Sequence, residues 1–202
     1  MRYRYHYWTA TRASSKSFTA YLAAFCRAVL LPGSNIFIAS EVKGTVIKTA
    51  EAKFEQIQQI WPLLTRELTT RVDDGKTGEK KSGNYYELHF KNGSNITVVS
   101  KDTSRGLRAN AGILEEAATI EETDYTEVLL PQMNVARREV DGSLNPEEPV
   151  SPQTFITTAR EKTVYMYRKL IECAVTAVLR PQESFVWGIS YEIGVRYGLI
   201  SK

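Results

Sequence analysis

Ala10-Thr11-Arg12-Ala13-Ser14-Ser15-Lys16-Ser17 is the stretch whose reading decides the fold. Ahead of it, Arg2, Arg4 and His6 alternate with Tyr3, Tyr5 and Tyr7 up to Trp8, the period of two that a strand shows. Behind it, Lys16 to Leu31 carries Leu22, Phe25 and Val29 on one helical stripe and is closed by Pro32-Gly33. A strand that feeds a tight turn and then a helix collects backbone N–H groups at one point. The helix dipole adds roughly half a positive charge there. Matched to the phosphate-binding pattern G-x-x-x-x-G-K-[ST], Lys16 would reach the β- and γ-phosphates of a nucleotide and Ser17 would hold magnesium. Ala10 and Ser15 stand at the two glycine positions. A helix start capped by serines is the other reading of the same residues.

Outward from this stretch the chain keeps alternating strand and helix. Asn35 to Ala39 is a short apolar run of the kind buried on both faces of a parallel sheet. A second helical run, from about Gly44 to Trp61, turns Ile47, Ala50, Phe54, Ile57 and Ile60 inward, and Pro62 interrupts it. Strand, turn, helix, strand, helix is the opening of an α/β domain. Thr69 to Asn84 is rich in Gly, Lys and Asp and reads as a solvated loop. Tyr85 to Phe90 and Asn95 to Ser100 flank Asn92-Gly93, a β-hairpin signal. Lys101 to Asn110 is a polar loop with Arg105, Gly106 and Arg108. After a short apolar strand from Ala111 to Glu116, helical periodicity runs from Thr123 to Arg138 and is broken by Pro131. Residues 139–153 hold Pro146, Pro149 and Pro152 and read as an exposed loop. Thr154 to Ala159 predicts a buried strand and Lys162 to Leu179 an amphipathic helix. Ser184 to Ser190 and Glu192 to Leu199 read as strand and turn. The expected fold is α/β, a P-loop NTPase-type, mostly parallel sheet flanked by helices with an added β-hairpin. It fills residues 1–202 as one domain.

Composition narrows the function classes. With 43% hydrophobic and 24% charged residues, the 202-residue chain has the balance of a soluble globular domain. A net charge of +3 is too mild to argue for nucleic acid by itself. The longest apolar run, Ala20 to Leu31, is broken by Arg27 and too short to span a bilayer, so no membrane partner is expected. Cys26 and Cys173 fall in helical runs and suggest neither a disulfide framework nor a zinc site, which makes a reducing cytoplasm the expected location. His6 and His89 alternate with aromatic residues and read as structural. Tyr85 and Tyr86 read as sheet packing. Lys76, Lys80 and Lys81 read as a solvated loop, with a DNA-tracking contact as the other reading.

The strand ending in Glu115-Glu116 supplies what a phosphoanhydride hydrolase needs beside such a turn. One carboxylate orients magnesium or its waters and the next polarises the attacking water. In this chain these would be Glu115 and Glu116, respectively. A helix N-terminus, where the dipole favours glutamate, is the other reading of the pair.

Taken as an ordered set, these stretches resemble the ATPase motifs of large terminase subunits, the motors that package DNA into tailed-phage heads. The residues that carry the resemblance are Thr11-Arg12-Ala13-Ser14-Ser15-Lys16-Ser17, then Arg105-Gly106-Leu107-Arg108 with Ile113-Leu114-Glu115-Glu116-Ala117, then Phe155-Ile156-Thr157-Thr158-Ala159. It runs from Thr9 to about Leu199. An arginine four residues before the P-loop lysine is characteristic of that family, and Arg12 occupies the place. Thr157-Thr158-Ala159 sits where the family has its coupling motif. Ala10, Ala13 and Ser15 stand where members often carry glycine, and Glu115 replaces the commoner aspartate.

The resemblance implies an ATP- and Mg²⁺-dependent motor domain acting on double-stranded DNA. It also implies portal or procapsid and small-terminase partners, and a homo-oligomeric ring as the active form. Arg105 or Arg108 would be an arginine finger placed in the next subunit's site, with Arg12 competing for that role within its own chain. The family's upstream adenine-contacting segment and its C-terminal nuclease acids find no counterpart between residues 1 and 202, so an isolated motor domain is expected. Two other functions stay open: an assembly module impaired in nucleotide binding, and a helicase-like ATPase.

Overall fold

The computed structural model of the chain describes residues 2–12, 14–41, 45–69, 78–100, 104 and 106–198. Ala13, Lys76 and Arg105 lie outside the described residues. In chain order the elements are β1 (Tyr5–Ala10), α1 (Lys16–Leu30), β2 (Asn35–Ser40), α2 (Thr45–Ile60), α3 (Pro62–Thr65), β3 (Glu79–Lys81) and β4 (Tyr85–His89). They continue with β5 (Asn95–Ser100), β6 (Ala111–Glu115), α4 (Leu130–Gln132), β7 (Gln153–Thr157), α5 (Tyr165–Leu179), β8 (Ser184–Ile189) and α6 (Tyr191–Arg196).

The strands form one eight-stranded sheet in the order β3-β4-β5-β2-β6-β7-β1-β8. From β5 to β8 every neighbouring pair is parallel. β4 runs antiparallel to β5, as the Asn92-Gly93 turn predicts, and also to β3. All five residues of β6 and all five of β7 are buried, at the centre of the parallel sheet, where helices cover both faces. Side chains alternate between two cores. Ile36, Ile38, Val98, Ile113 and Ile156 pack with Tyr21, Phe25 and Phe54 of α1 and α2, while Phe37, Leu114 and Phe155 pack with Met166 and Cys173 of α5. Tyr21, Phe54 and Tyr86 stack in series at 5.3 and 6.0 Å. Gly112 is required on β6, because a Cβ there would overlap Met133 Sδ.

Three segments depart from the sequence expectation. Within the stretch read as a solvated loop, Glu79–Lys81 forms the edge strand β3. Tyr86 Oη donates to Glu79 at 2.8 Å, Lys81 pairs with Glu51, and Leu68 is buried and bridged to Phe90. The helix expected from Thr123 to Arg138 is shorter: a π-helical turn, Asp124–Leu129, runs into α4 and stops at Gln132. Pro131 brings no N–H to continue it, and the chain beyond is irregular where the Arg137 guanidinium turns inward. The tail expected as a turn is the helix α6.

At the N-terminal end of the strands, the loop before β7 is fastened to α1 by charge. Arg27 pairs with Glu148, Arg137 pairs with Glu148 at 2.7 Å and Glu139 at 2.6 Å, and Arg137 also donates to Pro32 O at 3.0 Å. Among the described residues, no helix is long and apolar enough to cross a membrane.

Candidate active site

The site lies at the opposite end, where the parallel strands point their C-termini. α/β sheets hold ligands at this edge because the turns there lead into helix N-termini. β7 lies between β1 and β6, so the turn after β1 and the acid pair after β6 face each other across the end of β7.

The turn closes on itself and opens α1. Ser14 Oγ donates to Thr11 O at 2.7 Å, and Ser15 sits at φ 57°, ψ 20° before its carbonyl accepts the Thr19 amide at 2.9 Å. This is the left-handed geometry for which the pattern has glycine; serine adopts it here. No side chain caps α1, and its first turn holds no acid, so the first-turn amides keep their capacity for an anion. Thr11 Oγ1 is buried without a partner. Lys16 Nζ donates to the carbonyls of Ala10 and Thr11, both at 2.7 Å. Burial pushes the Lys16 ammonium below its ordinary range, and the charges of Glu116 and Glu115 oppose that shift.

The two acids diverge. Glu115 ends β6 and is buried; it accepts hydrogen bonds from Ser17 and from Tyr21 Oη. Burial raises its carboxyl above the usual range, Ser17 and Tyr21 counter that, the charge of Glu116 adds to it and Lys53 opposes it. Glu116 is exposed and left-handed, at φ 50°, ψ 40°. A strand alternation followed by a left-handed turn thus sends one carboxylate inward and leaves its neighbour in solvent. The turn is tied to β7 by the Ala118 amide, which donates to Thr157 Oγ1 at 3.3 Å; the same hydroxyl donates to Thr158 O at 2.9 Å.

Of the residues expected at the site, Thr11, Ser14, Ser15, Lys16, Ser17, Glu115 and Glu116 come together, with Thr157 linked to them. Arg12 and Thr158 line an adjoining open hollow of about 730 Å³ with Arg160 and Tyr191. Arg108 is exposed and joins none of these contacts. The sequence reading missed Tyr21, Lys53 and Arg160. Tyr21 carried a usable signal, since it follows Ser17 by one helical turn and so shares its face.

Ser17 and Glu115 offer hard oxygen donors of the kind magnesium takes, and Glu115 makes no ion pair among the described residues, so this pair fits the ion. Among the described residues no group of three or more His, Cys, Asp or Glu could hold a metal. Water and phosphate oxygens would therefore have to complete its shell.

No protein-family model matches the chain, and no curated protein does. Solved structures do. The ATPase domain of a Thermus phage large terminase, in mutant form, superposes with a TM-score of 0.63 at 14% identity, over 98% of this chain and 82% of that one. The large terminase of bacteriophage HK97 matches with a TM-score of 0.65 at 10% identity, over 92% of this chain and 35% of that one. The large terminase of a thermophilic bacteriophage, in complex with ATP-γ-S, matches with a TM-score of 0.51 at 15% identity, over 98% and 44%. This chain therefore spans under half the length of those last two proteins.

Proposed function

We propose that this chain, which has the fold of phage large-terminase ATPase domains, hydrolyses ATP to move double-stranded DNA as part of a packaging machine. The observation that carries this reading is the meeting of Lys16, Ser17, Glu115 and Glu116 at one end of the sheet, from two turns with 97 residues of intervening fold between Ser17 and Glu115. The ATP-γ-S complex of the thermophilic phage terminase supports a nucleotide as the ligand of this fold.

Lys16 exchanges the carbonyls of Ala10 and Thr11 for phosphate oxygens, and the uncapped amides of α1 add further donors to the same anion. A magnesium ion held by Ser17 and Glu115 would supply further neutralisation of the phosphate charge. Glu116, free in solvent, accepts a proton from the attacking water. An arginine offsets the charge that builds on the γ-phosphoryl group: Arg105 or Arg108 from the next subunit of a ring, or Arg12 from the same chain. Thr157 passes the state of the acid turn to the end of β7 through the Ala118 bond, with Thr158 beside it. Portal or procapsid and small terminase subunit are the partners this reading implies, in the host cytoplasm.

The deciding experiment is steady-state phosphate release with Mg²⁺ and ATP, with and without duplex DNA, for the native chain and Lys16→Ala. Release that rises with duplex DNA and disappears in a folded Lys16→Ala variant is the expected outcome. DNA-independent release points to a different ATPase. The self-contained bonds of Lys16 favour one second reading, an assembly module that binds nucleotide weakly or not at all. It predicts no release and no thermal shift with ATP.

A further inference from the structure

β8 is the edge strand opposite β3, and its side chains divide between the two faces. Val186 packs in the α5 core, so Phe185, Trp187 and Ile189 project to the α1 face. The parallel register sets Trp8 of β1 beside Trp187 and His6 beside Phe185. The two indoles meet edge to face with centroids 6.2 Å apart, and Phe185 stays 41% exposed. Trp8, Trp187, Ile189, Ser14, Lys16 and Thr19 then line a cavity of about 350 Å³, with Phe185 at its wall. Two of those residues, Ser14 and Lys16, belong to the turn that cradles phosphate in the reading above.

We infer that this aromatic cavity is the base subsite: it takes the nucleobase of a nucleoside triphosphate whose phosphates lie on the Lys16 turn. The inference rests on the proposed function and names residues that it leaves out. A planar heterocycle is what the walls suit. Two indoles and a phenyl ring offer stacking faces and edges, and a phosphate chain that starts at Lys16 ties the occupant to this side of the turn. The neighbouring hollow above β1, β7 and β8 has a different character. Arg12 and Arg160 open into it and Tyr191 is its one aromatic ring, so it suits an anion better than a base. Apart from Ser14, Lys16, Thr19 and the indole N–H groups of Trp8 and Trp187, the cavity walls are apolar, so the base is held by its face more than by its edge. ATP and GTP therefore bind alike, and pyrimidine triphosphates bind more weakly because their ring face is smaller.

Calorimetric titration with the Mg²⁺ complexes of ATP, GTP, UTP and inorganic tripolyphosphate tests this. Trp187→Ala is expected to weaken ATP and GTP about tenfold or more and to leave tripolyphosphate unchanged. Thr19→Trp, at an exposed helix position, fills the cavity without touching the core and has the same effect; it carries the test if Trp187→Ala fails to fold. If both folded variants bind ATP like the native chain while tripolyphosphate still competes with ATP, the base lies elsewhere and the phosphate site stands. If the native chain binds neither ATP nor tripolyphosphate, the nucleotide function falls and the base subsite falls with it.

Discussion

The two ends of α1 bury charge in opposite ways. At its C-terminal end, Arg27 and Arg137 meet Glu148 and Glu139, so every guanidinium has a carboxylate partner. At its N-terminal end, Lys16 is held by main-chain carbonyls and Glu115 by two hydroxyls. The two glutamates record the difference. Burial alone would raise both carboxyls. Around Glu148 the guanidiniums of Arg137 and Arg27 outweigh it and bring the carboxyl below its ordinary range. Around Glu115 the neutral donors do not, and its carboxyl stays raised. The first cluster is closed and fastens the loop before β7. The second gives Lys16 and Glu115 neutral hydrogen-bond partners and leaves Thr11 Oγ1 unpartnered and α1 uncapped, a state that suits the arrival of a charged ligand.

The largest expected effect breaks the open end. Glu116→Gln keeps nucleotide bound and slows single-turnover hydrolysis by at least about a hundredfold, because the amide is isosteric and a poor base. Glu115→Gln weakens binding of Mg²⁺ with ATP instead. If Glu115→Gln removes only the chemical step and leaves binding intact, the two roles are reversed.

The closed end answers in stability rather than rate. Glu148→Ala leaves two buried guanidiniums without their shared carboxylate and costs about 3 kcal/mol or more in urea unfolding. Glu115→Gln replaces a carboxylate that burial penalises and leaves stability unchanged or raises it. Equal losses from the two substitutions would show that both clusters serve the fold alone.

His6 sharpens the comparison, being buried with an unpartnered Nδ1 among Tyr3 and Phe185. Burial is the main cause that pushes its pKa down to about 4 from the ordinary 6.5. Between those values the unfolded chain binds the extra proton, so His6 lowers stability as pH falls through that window, by about 3 kcal/mol in all. The loss levels off below the folded value. Unfolding free energies at pH 7 and pH 4.5 should differ less in a folded His6→Phe variant than in the native chain. An unchanged difference would mean that His6 is solvated.

Much of this division was legible in the residues, for physical reasons. The apolar runs of β2 and β6 admit no solvent face, and Asn92-Gly93 admits a hairpin turn, so the parallel sheet and its antiparallel addition could be read. β3 could not, because Glu79-Lys80-Lys81 has no apolar alternation and is held by pairing with β4 and by Glu51. The meeting of Lys16 with the acid pair followed from motif order. The closed cluster did not, since Arg27, Arg137 and Glu148 lie far apart in sequence and carry no spacing signal. Nor did the aromatic cavity, whose Trp8 and Trp187 become neighbours only through strand register.

The smallest effect concerns the backbone that holds the open end open. Three described residues other than glycine have positive φ, and two of them, Ser15 and Glu116, flank the site. An L-residue in this region gives up roughly 1–2 kcal/mol. Ser15 makes no side-chain capping bond that would offset it. Ser15→Gly removes the strain in the folded state but frees the unfolded chain, which returns about 0.4–1 kcal/mol of the gain. The net expectation is a stabilisation of about 1 kcal/mol or less in urea unfolding. Ser15→Ala keeps the strain and loses no bond, so its stability stays within about 0.5 kcal/mol of native. Under the proposed function ATP affinity holds in both variants, because that reading gives the phosphates to the amides at the start of α1 rather than to the serine hydroxyl. A Ser15→Ala variant that loses more than 1 kcal/mol together with nucleotide affinity would assign the hydroxyl a structural bond. The turn would then depend on serine chemistry, and its left-handed backbone would be a consequence of that bond rather than the feature that makes the anion cradle.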